Sequence, residues 1–271
     1  MKKYLLLTVF TCYLYSAFSQ SADLSHIDMF TYGGLPKRHI GLSEVKVLTN
    51  WSYITGYDEQ RKNPLWVAYR LGNMKGVFEY KNWERPDRFI PDRRTTTQID
   101  HEAYISSGYQ RGHMAPNATM LSQYGQMGQM ETYLMTNICP QTPKLNQNLW
   151  SALEKLERET ISQDDTKNKE VHDVFVITGP VFSAKPDTLK SGVAVPHSFY
   201  RILAYRRGYL STIKAVAFLL PQQPQSSNLM DYLCTVDEIE ALTGLDFFPE
   251  LTEAKQKNLE NKKRNIALED L

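Results

Sequence analysis

One amphipathic helix pattern lies in the middle of a chain that otherwise consists of strand-like segments, and this arrangement constrains the fold most. Apolar residues recur at helical spacing over residues 149–156, and charged residues fill the intervening positions. A later helix is predicted over Thr235–Leu242, where Thr235 and Glu238 have the spacing of a capping box. Strands are predicted by apolar runs that end at turn residues, at 41–50, 65–71, 133–138, 171–179, 192–195, 199–205 and 213–220. Strands that run together with few helices predict one domain of the α+β class.

The first residues differ in character from the rest of the chain. A basic start at Lys2 and Lys3, an apolar run over 4–18 and the small residues of Ala17-Phe18-Ser19 are typical of a signal peptide. We therefore predict that residues 1–19 are removed and that the protein is exported, to the periplasm or the medium. The run is shorter than the ~20 residues of a spanning helix, so no membrane span is expected. We further predict a lead-in segment over 20–44, a single domain over 45–250 and a charged tail over 251–271.

The charge balance excludes a uniformly basic protein. The chain has 31 Lys and Arg against 30 Asp and Glu, and loss of Lys2 and Lys3 with the leader would leave 29 basic side chains. Any basic field that attracts nucleic acid must therefore be local. Residues 81–94 are the best candidate, and a solvated loop of mixed charge is the competing interpretation.

Cysteine usage leaves one question open. The chain has three cysteines, and removal of the leader with Cys12 would leave Cys139 and Cys234. In an exported protein these two residues can form one disulfide, provided that folding brings their Cα atoms close enough. For Cys139, a buried small hydrophobic residue is the other interpretation.

The stretch Gly108–Asn117, followed by Thr136–Gln141 and Leu145–Glu154, carries residues that suit hydrolysis of a phosphodiester. That reaction needs a base for the attacking water, a cation for the charge on the phosphate, and stabilisation of the departing oxygen. His113 suits the base, because an imidazole titrates near ~6.5 and is largely neutral at working pH. Gly112 beside it is expected to let a phosphate approach closely.

Asn146 stands at the start of the predicted central helix and has two interpretations. Asparagine is favoured as an N-cap, so a purely structural role is one of them. In the other, its amide oxygen binds Mg²⁺, which prefers oxygen ligands and keeps most of its waters. Glu154 follows about 12 Å further along the helix axis, at ~1.5 Å per residue. We therefore expect Glu154 to act on such an ion through bound water.

Three motifs in this order resemble the DNA/RNA non-specific endonuclease family, whose site is a ββα-metal (His-Me) finger. They are Gln-Arg-Gly-His-Met-Ala-Pro (110–116), Thr-Asn-Ile-Cys-Pro-Gln (136–141) and Leu-Asn-Gln-Asn-Leu-Trp-Ser-Ala-Leu-Glu (145–154), within a likeness that spans about 45–250. The resemblance implies a central, mostly antiparallel sheet flanked by helices, with the finger set into one face. It implies an endonuclease that hydrolyses DNA and RNA with Mg²⁺, for which Mn²⁺ can substitute. Dimers occur among similar enzymes, so a homodimer is a further expectation.

The resemblance also implies a role for individual residues. His113 matches the general base and Asn146 the direct protein ligand of Mg²⁺, where the hydrated metal stabilises the leaving 3′ oxygen. Glu154 matches the carboxylate that holds the metal's waters, and Asn137 an asparagine that helps to arrange the site. Arg85 is similar to the arginine that steadies the scissile phosphate and its leaving oxygen.

Gln110 departs from the family's motif, which usually begins with Asp. An amide removes one negative charge from a site with few carboxylates, so weaker metal binding is expected. Gln110 is also the one feature that favours an alternative function, a catalytically weakened protein of the same fold that binds nucleic acid or an inhibitor. Retention of the base, of both asparagines and of the carboxylate favours the enzyme.

Arg111 and Trp150 have structural as well as functional interpretations. An arginine in a tight strand-to-loop turn pairs with a carbonyl or a buried carboxylate more often than with a phosphate. Trp150 fits the apolar stripe of the predicted helix, which favours a place in the core over a platform for base stacking.

Overall fold

The computed structural model describes residues 27–39, 44–72, 85–162, 171–207 and 212–264. Its centre is a seven-stranded sheet, formed by β2 (Lys46–Thr49), β3 (Ile54–Asp58), β4 (Asn63–Gly72), β7 (Val171–Val181), β8 (Ser198–Arg207), β9 (Lys214–Pro221) and β10 (Leu233–Cys234). The order across the sheet is β10-β9-β8-β7-β4-β3-β2, and every neighbouring pair is antiparallel. The expected α+β class with a central antiparallel sheet is confirmed.

Among the described residues, two smaller strand pairings and four helices of eight or more residues surround this sheet. The strand β1 (Lys37–Arg38) pairs with β11 (Leu245–Asp246), and β5 (Gln110–His113) pairs with β6 (Ile138–Gln141). The helices are α1 (Asn117–Glu131), α2 (Ser151–Ser162), α3 (Val236–Thr243) and α4 (Glu253–Glu260). A π-helical turn, Leu145–Trp150, leads directly into α2. The strands β5 and β6 and this continuous helix form the ββα unit, called the finger below.

Both faces of the central sheet are buried, because alternate residues of each strand point to opposite faces. In β4, Val67 and Tyr69 belong to one apolar cluster, whereas Trp66 and Ala68 belong to another. The finger and the start of α2 cover the first face with Trp150 and other apolar residues. The N-terminal segment, α3 and α4 cover the second face with Phe30, Ile239 and Leu259.

The strands predicted at 65–71, 171–179, 199–205 and 213–220 are confirmed, and two predicted strands are wrong. Residues 135–137 form a 3₁₀ turn, so that the strand predicted at 133–138 begins only at Ile138. Within 192–195, Ala194 alone forms an isolated bridge, because Leu189 and Gly192 close a tight turn there.

The sequence did not predict β3, β5 or α1. In β3, Gly56 interrupts the apolar pattern because a Cβ atom there would lie 2.1 Å from the Trp66 ring.

The packed unit extends beyond residues 45–250 at both ends. Phe30 is fully buried, and β1 pairs with β11, so part of the predicted lead-in segment belongs to the fold. Leu259 of α4 is buried as well, within the predicted tail.

The capping box at Thr235 and Glu238 is confirmed. The predicted leader, 1–19, lies outside the described residues, and within those residues no helix combines the length and apolar character that crossing a membrane requires.

The two cysteines of the folded part are free thiols. Cys139 lies in β6 and packs in the cluster on the finger side of the sheet. Cys234 lies in β10 and packs in the cluster on the other side. The sheet separates the two sulfur atoms, and the structure therefore supports buried thiols rather than a disulfide.

Candidate active site in the finger

The short hairpin of the finger sets the position of His113. Its register places Gln110 opposite Gln141 and His113 opposite Ile138, so that the imidazole lies at the end of β5. Gly112 is needed within this hairpin, because a Cβ atom at this position would lie 2.1 Å from Oε1 of Gln141. The expectation that Gly112 makes room for a phosphate is therefore wrong, since a side chain of the neighbouring strand occupies that space.

The imidazole of His113 lies in an aromatic environment. Its centroid is 5.4 Å from that of Phe89, and the ring of Tyr133 meets it edge-on at 5.8 Å. Nε2 is buried and has no hydrogen-bond partner among the described residues. Burial, with a smaller effect of the positive charge of Arg85, lowers the pKa of His113 to about 4. The ring is thus neutral at physiological pH, the state that a general base requires.

Asn137 holds the loop that follows His113. Its Oδ1 accepts a hydrogen bond from the backbone N–H of Ala115 at 2.8 Å, and its Nδ2 donates to the carbonyls of Ala115 at 3.0 Å and Thr132 at 3.1 Å. The side chain is fully buried, and these bonds occupy its oxygen and both of its N–H groups. The geometry is that of a residue that holds the loop beside His113 in position.

A buried ion pair also holds the loop that follows His113, and the sequence analysis did not predict this pair. Arg201 of β8 and Glu157 of α2 are both fully buried and lie 2.9 Å apart. Arg201 also donates to the carbonyl of Met114 at 3.1 Å and stacks on Trp150 at 4.4 Å. The indole N–H of Trp150 donates to the carbonyl of His113 at 3.0 Å, which confirms a structural role for this tryptophan. The signal in the sequence is the position of Arg201, which strand alternation places on the same face of β8 as the buried Phe199 and Leu203.

Asn146 lies in the π-helical turn, and its amide is held by Gln110. The Nδ2 group donates to Oε1 of Gln110 at 2.8 Å, while Oδ1 forms no hydrogen bond with a described residue. The side chain does not cap the helix, so the N-cap interpretation is not supported. π-Helical turns are frequent at functional sites, and this one presents a free amide oxygen near the hairpin that carries His113.

Glu154 and Arg85 lie in the same region as His113. Burial raises the pKa of Glu154 to about 7, although the charge of Arg201 opposes this effect. Glu154 forms no hydrogen bond or ion pair within the described part of the chain, in contrast to Glu157 one turn later. Arg85 is exposed, and its charge lowers the pKa values of both His113 and Glu154. The three side chains are therefore within electrostatic reach of one another.

Two further basic residues near the finger, Arg111 and Arg94, serve the fold. Arg111 donates to the carbonyl of His101 and stacks against Phe89 at 5.9 Å, which supports its structural interpretation. Arg94 pairs with the buried carboxylate of Asp92 at 2.7 Å. Residues 81–84 of the predicted basic stretch lie outside the described residues.

We expect the pKa of His113 to depend on Arg85. A neighbouring positive charge disfavours the imidazolium, so Arg85→Ala should raise the pKa of His113 from its value of about 4. An NMR titration of the imidazole resonances in the metal-free protein measures the pKa of His113 with and without Arg85. A His113 pKa near ~6.5 in the unaltered protein would contradict the buried environment.

Arg201→Met is expected to destabilise the protein by about 3–5 kcal/mol, because it leaves the buried carboxylate of Glu157 unpaired. Urea unfolding of this variant, of Glu157→Met and of the double variant measures the coupling between the two residues. The double variant should be more stable than Arg201→Met alone. Simple additivity of the two losses would show that the pair does not act as a unit.

Comparisons with known proteins identify the family of this chain. The model of the family described as DNA/RNA non-specific endonuclease matches residues 35–254. A nuclease of Nostoc sp. is 32% identical over 225 residues, which cover 79% of this chain and 77% of that protein. Human mitochondrial endonuclease G is 28% identical over 234 residues, covering 80% and 72% of the two chains. A chain in the crystal structure of the EndoG/EndoGI complex superposes with a TM-score of 0.69 at 23% identity, covering 85% and 94%. The chain therefore belongs to the DNA/RNA non-specific endonuclease family, and it hydrolyses phosphodiester bonds of nucleic acid.

Proposed function

We propose that this protein is an exported, Mg²⁺-dependent endonuclease that cleaves both DNA and RNA, with the finger as its active site. The observation that carries the proposal is the hydrogen bond from Asn146 to Gln110. This bond occupies the N–H side of the Asn146 amide and leaves Oδ1 free, and Asn146 belongs to the same finger as the neutral, buried imidazole of His113. An oxygen ligand and a base in one unit are the two groups that metal-assisted hydrolysis requires.

The donor set fits Mg²⁺. The amide oxygen of Asn146 would hold the ion directly, and the carboxylate of Glu154 would act through bound water, because neither group is engaged by the described part of the fold. When bound, the ion supplies positive charge that stabilises the leaving 3′ oxygen. With a single neutral side-chain ligand, we expect weak binding of the ion to the free protein.

The chain's own residues supply the remaining chemistry. His113 accepts a proton from the attacking water, and the arrival of an anionic phosphate favours this step because negative charge raises the pKa of a nearby imidazole. The exposed guanidinium of Arg85 binds the scissile phosphate and opposes the negative charge that develops on it. Asn137 and Arg201 do not contact the substrate and keep the backbone beside His113 in place.

A digestion assay on the mature chain tests the proposal. Plasmid DNA, single-stranded DNA and RNA are incubated with protein lacking residues 1–19, in Mg²⁺, in Mn²⁺ and in excess EDTA. We expect cleavage of all three substrates with either ion, little sequence preference and rates that fall as salt increases, because phosphate contacts dominate binding. Full activity in EDTA would overturn the metal requirement, and cleavage of only one kind of nucleic acid would overturn the sugar non-specificity.

Gln110→Asp is expected to strengthen metal binding, by about 10-fold. An aspartate keeps a hydrogen-bond acceptor on the side of Asn146, on a side chain one methylene shorter, and adds one negative charge beside the ion. Titration of activity with Mg²⁺ measures the change, and Gln147→Asp, at an exposed position of the same turn, is the control for a general effect of charge. An unchanged Mg²⁺ requirement in Gln110→Asp would show that the departure from the motif has no consequence for the metal.

We propose in addition that the protein is exported and that it forms a homodimer. The predicted leader supports export, and the N-terminal residue of the protein recovered from the periplasm or the medium tests cleavage after Ser19. The occurrence of dimers among similar enzymes supports a homodimer. Light scattering of the mature chain distinguishes a dimer from a monomer.

A further inference from the structure

Three carboxylates meet on the face of the central sheet that is opposite the finger. Asp237 and Glu240 belong to α3 and Glu260 ends α4, and one oxygen of each lies within 4.8 Å of one oxygen of each of the others. Ile239 of α3 and Leu259 of α4 are buried in one apolar cluster, so packing holds the two helices together. The carboxylates themselves repel one another, and their proximity is a consequence of this packing.

Glu260 is the member of the cluster that indicates a ligand. The residue is only 7% exposed, and its Oε1 atom is buried without any hydrogen-bond partner. A buried carboxylate oxygen without a partner is destabilising unless a positive charge or a donor satisfies it. Burial, followed by the charges of Glu240, Asp237 and Asp246, raises the pKa of Glu260 to about 8, against a smaller opposing effect of a side-chain hydrogen bond with Gln256.

The described part of the protein does not supply the missing positive charge. None of the ion pairs formed there by lysine or arginine includes a member of the cluster. The nearby carboxylate of Asp246 adds further negative charge beside Glu240 and Glu260. The backbone N–H of Phe247 donates to Oε1 of Glu240 at 2.7 Å and orients that side chain.

We propose that Asp237, Glu240 and Glu260 form a calcium site that links α3 to α4. Calcium binds six to eight oxygens at about 2.3–2.6 Å, so two ligands of one ion lie up to about 5 Å apart. The separations within the cluster fit this geometry. Magnesium requires a stricter octahedron at about 2.0–2.1 Å and retains its waters, so a site made of several carboxylates favours calcium. The site is distinct from the finger, and the proposal does not rest on the proposed function.

Calcium titration of the full chain tests the proposal, with Asn146→Ala as the background that removes the amide oxygen proposed to bind metal in the finger. We expect calorimetry to show one Ca²⁺ bound per chain. The melting temperature should rise by about 5–10 °C at a calcium concentration of ~100 times the dissociation constant. Mg²⁺ at the same concentration should have a smaller effect.

Glu260→Gln is the decisive variant, since the amide has the same shape but lacks the charge. It should abolish calcium binding and the rise in melting temperature, whereas Glu253→Gln, at the exposed start of the same helix, should retain both. An equal calcium response in Glu260→Gln would overturn the site, as would the absence of any response in the Asn146→Ala background. A larger shift with Mg²⁺ than with Ca²⁺ would overturn the choice of calcium.

Discussion

His113→Ala is expected to lower kcat by about 10³–10⁴-fold, because general base catalysis contributes up to ~10⁴-fold and no other described side chain of the finger is a neutral base. The imidazole is neutral above a pKa of about 4 and has a free, buried Nε2. KM should change little, since the ring is not charged and does not attract the phosphate. Initial rates of plasmid cleavage at saturating Mg²⁺ measure the loss.

The control for this experiment is His197→Ala. His197 hydrogen-bonds to Ser198 at the start of β8, and its removal should leave the rate within about two-fold of the unaltered protein, as expected for a residue outside the site. A cooperative thermal transition should show that His113→Ala is folded before heating. The substitution removes no hydrogen bond at Nε2, because this atom has no partner in the described part of the chain. Retention of full activity by a folded His113→Ala protein would remove the proposed base and the mechanism with it.

Asn146→Ala is expected to lower activity by about 10³-fold at a Mg²⁺ concentration that saturates the unaltered protein. The substitution removes the only protein oxygen proposed to bind the ion directly, and with it several kcal/mol of charge stabilisation in the transition state. A higher Mg²⁺ concentration should restore part of the rate. Asn146→Asp keeps one oxygen ligand and should therefore lose less activity than Asn146→Ala.

Asn148→Ala is the matched control in the same turn. Asn148 is exposed, and its amide donates to the carbonyl of Lys144 at 2.9 Å, so it serves the helix rather than the site. We expect the Mg²⁺ dependence of Asn148→Ala to equal that of the unaltered protein. Identical Mg²⁺ titrations for Asn146→Ala and Asn148→Ala would mean that Asn146 is not the ligand.

Much of the fold was predictable because alternation within a strand is a local pattern. The strands β4, β7, β8 and β9 were found near their observed bounds. The strand β5 was not predicted, since a four-residue segment that contains Gly112 and three polar residues has no apolar alternation. Its pairing with β6 depends on a partner that follows only after α1, and a local pattern does not contain that information.

The sequence by itself determined the family, because its motifs have a specific order and composition. The same motifs supplied His113, Asn146 and Glu154 as the residues that we propose to carry the chemistry. Only the tertiary structure showed which contacts these residues and their neighbours make. It showed that Asn137 serves the backbone, that Gln110 holds Asn146, and that Arg201 pairs with Glu157 beneath the loop.

The physical reason for this division is the range of the interactions. A sequence motif shows which functional groups are present, and the intrinsic reactivity of each group does not depend on its position in the fold. The pKa of an imidazole, the free side of an amide and the pairing of a buried charge depend on neighbours that only folding supplies. Arg201 and Glu157 are 44 positions apart in the chain and 2.9 Å apart in the structure, and that contact decides whether a charge can lie in the core.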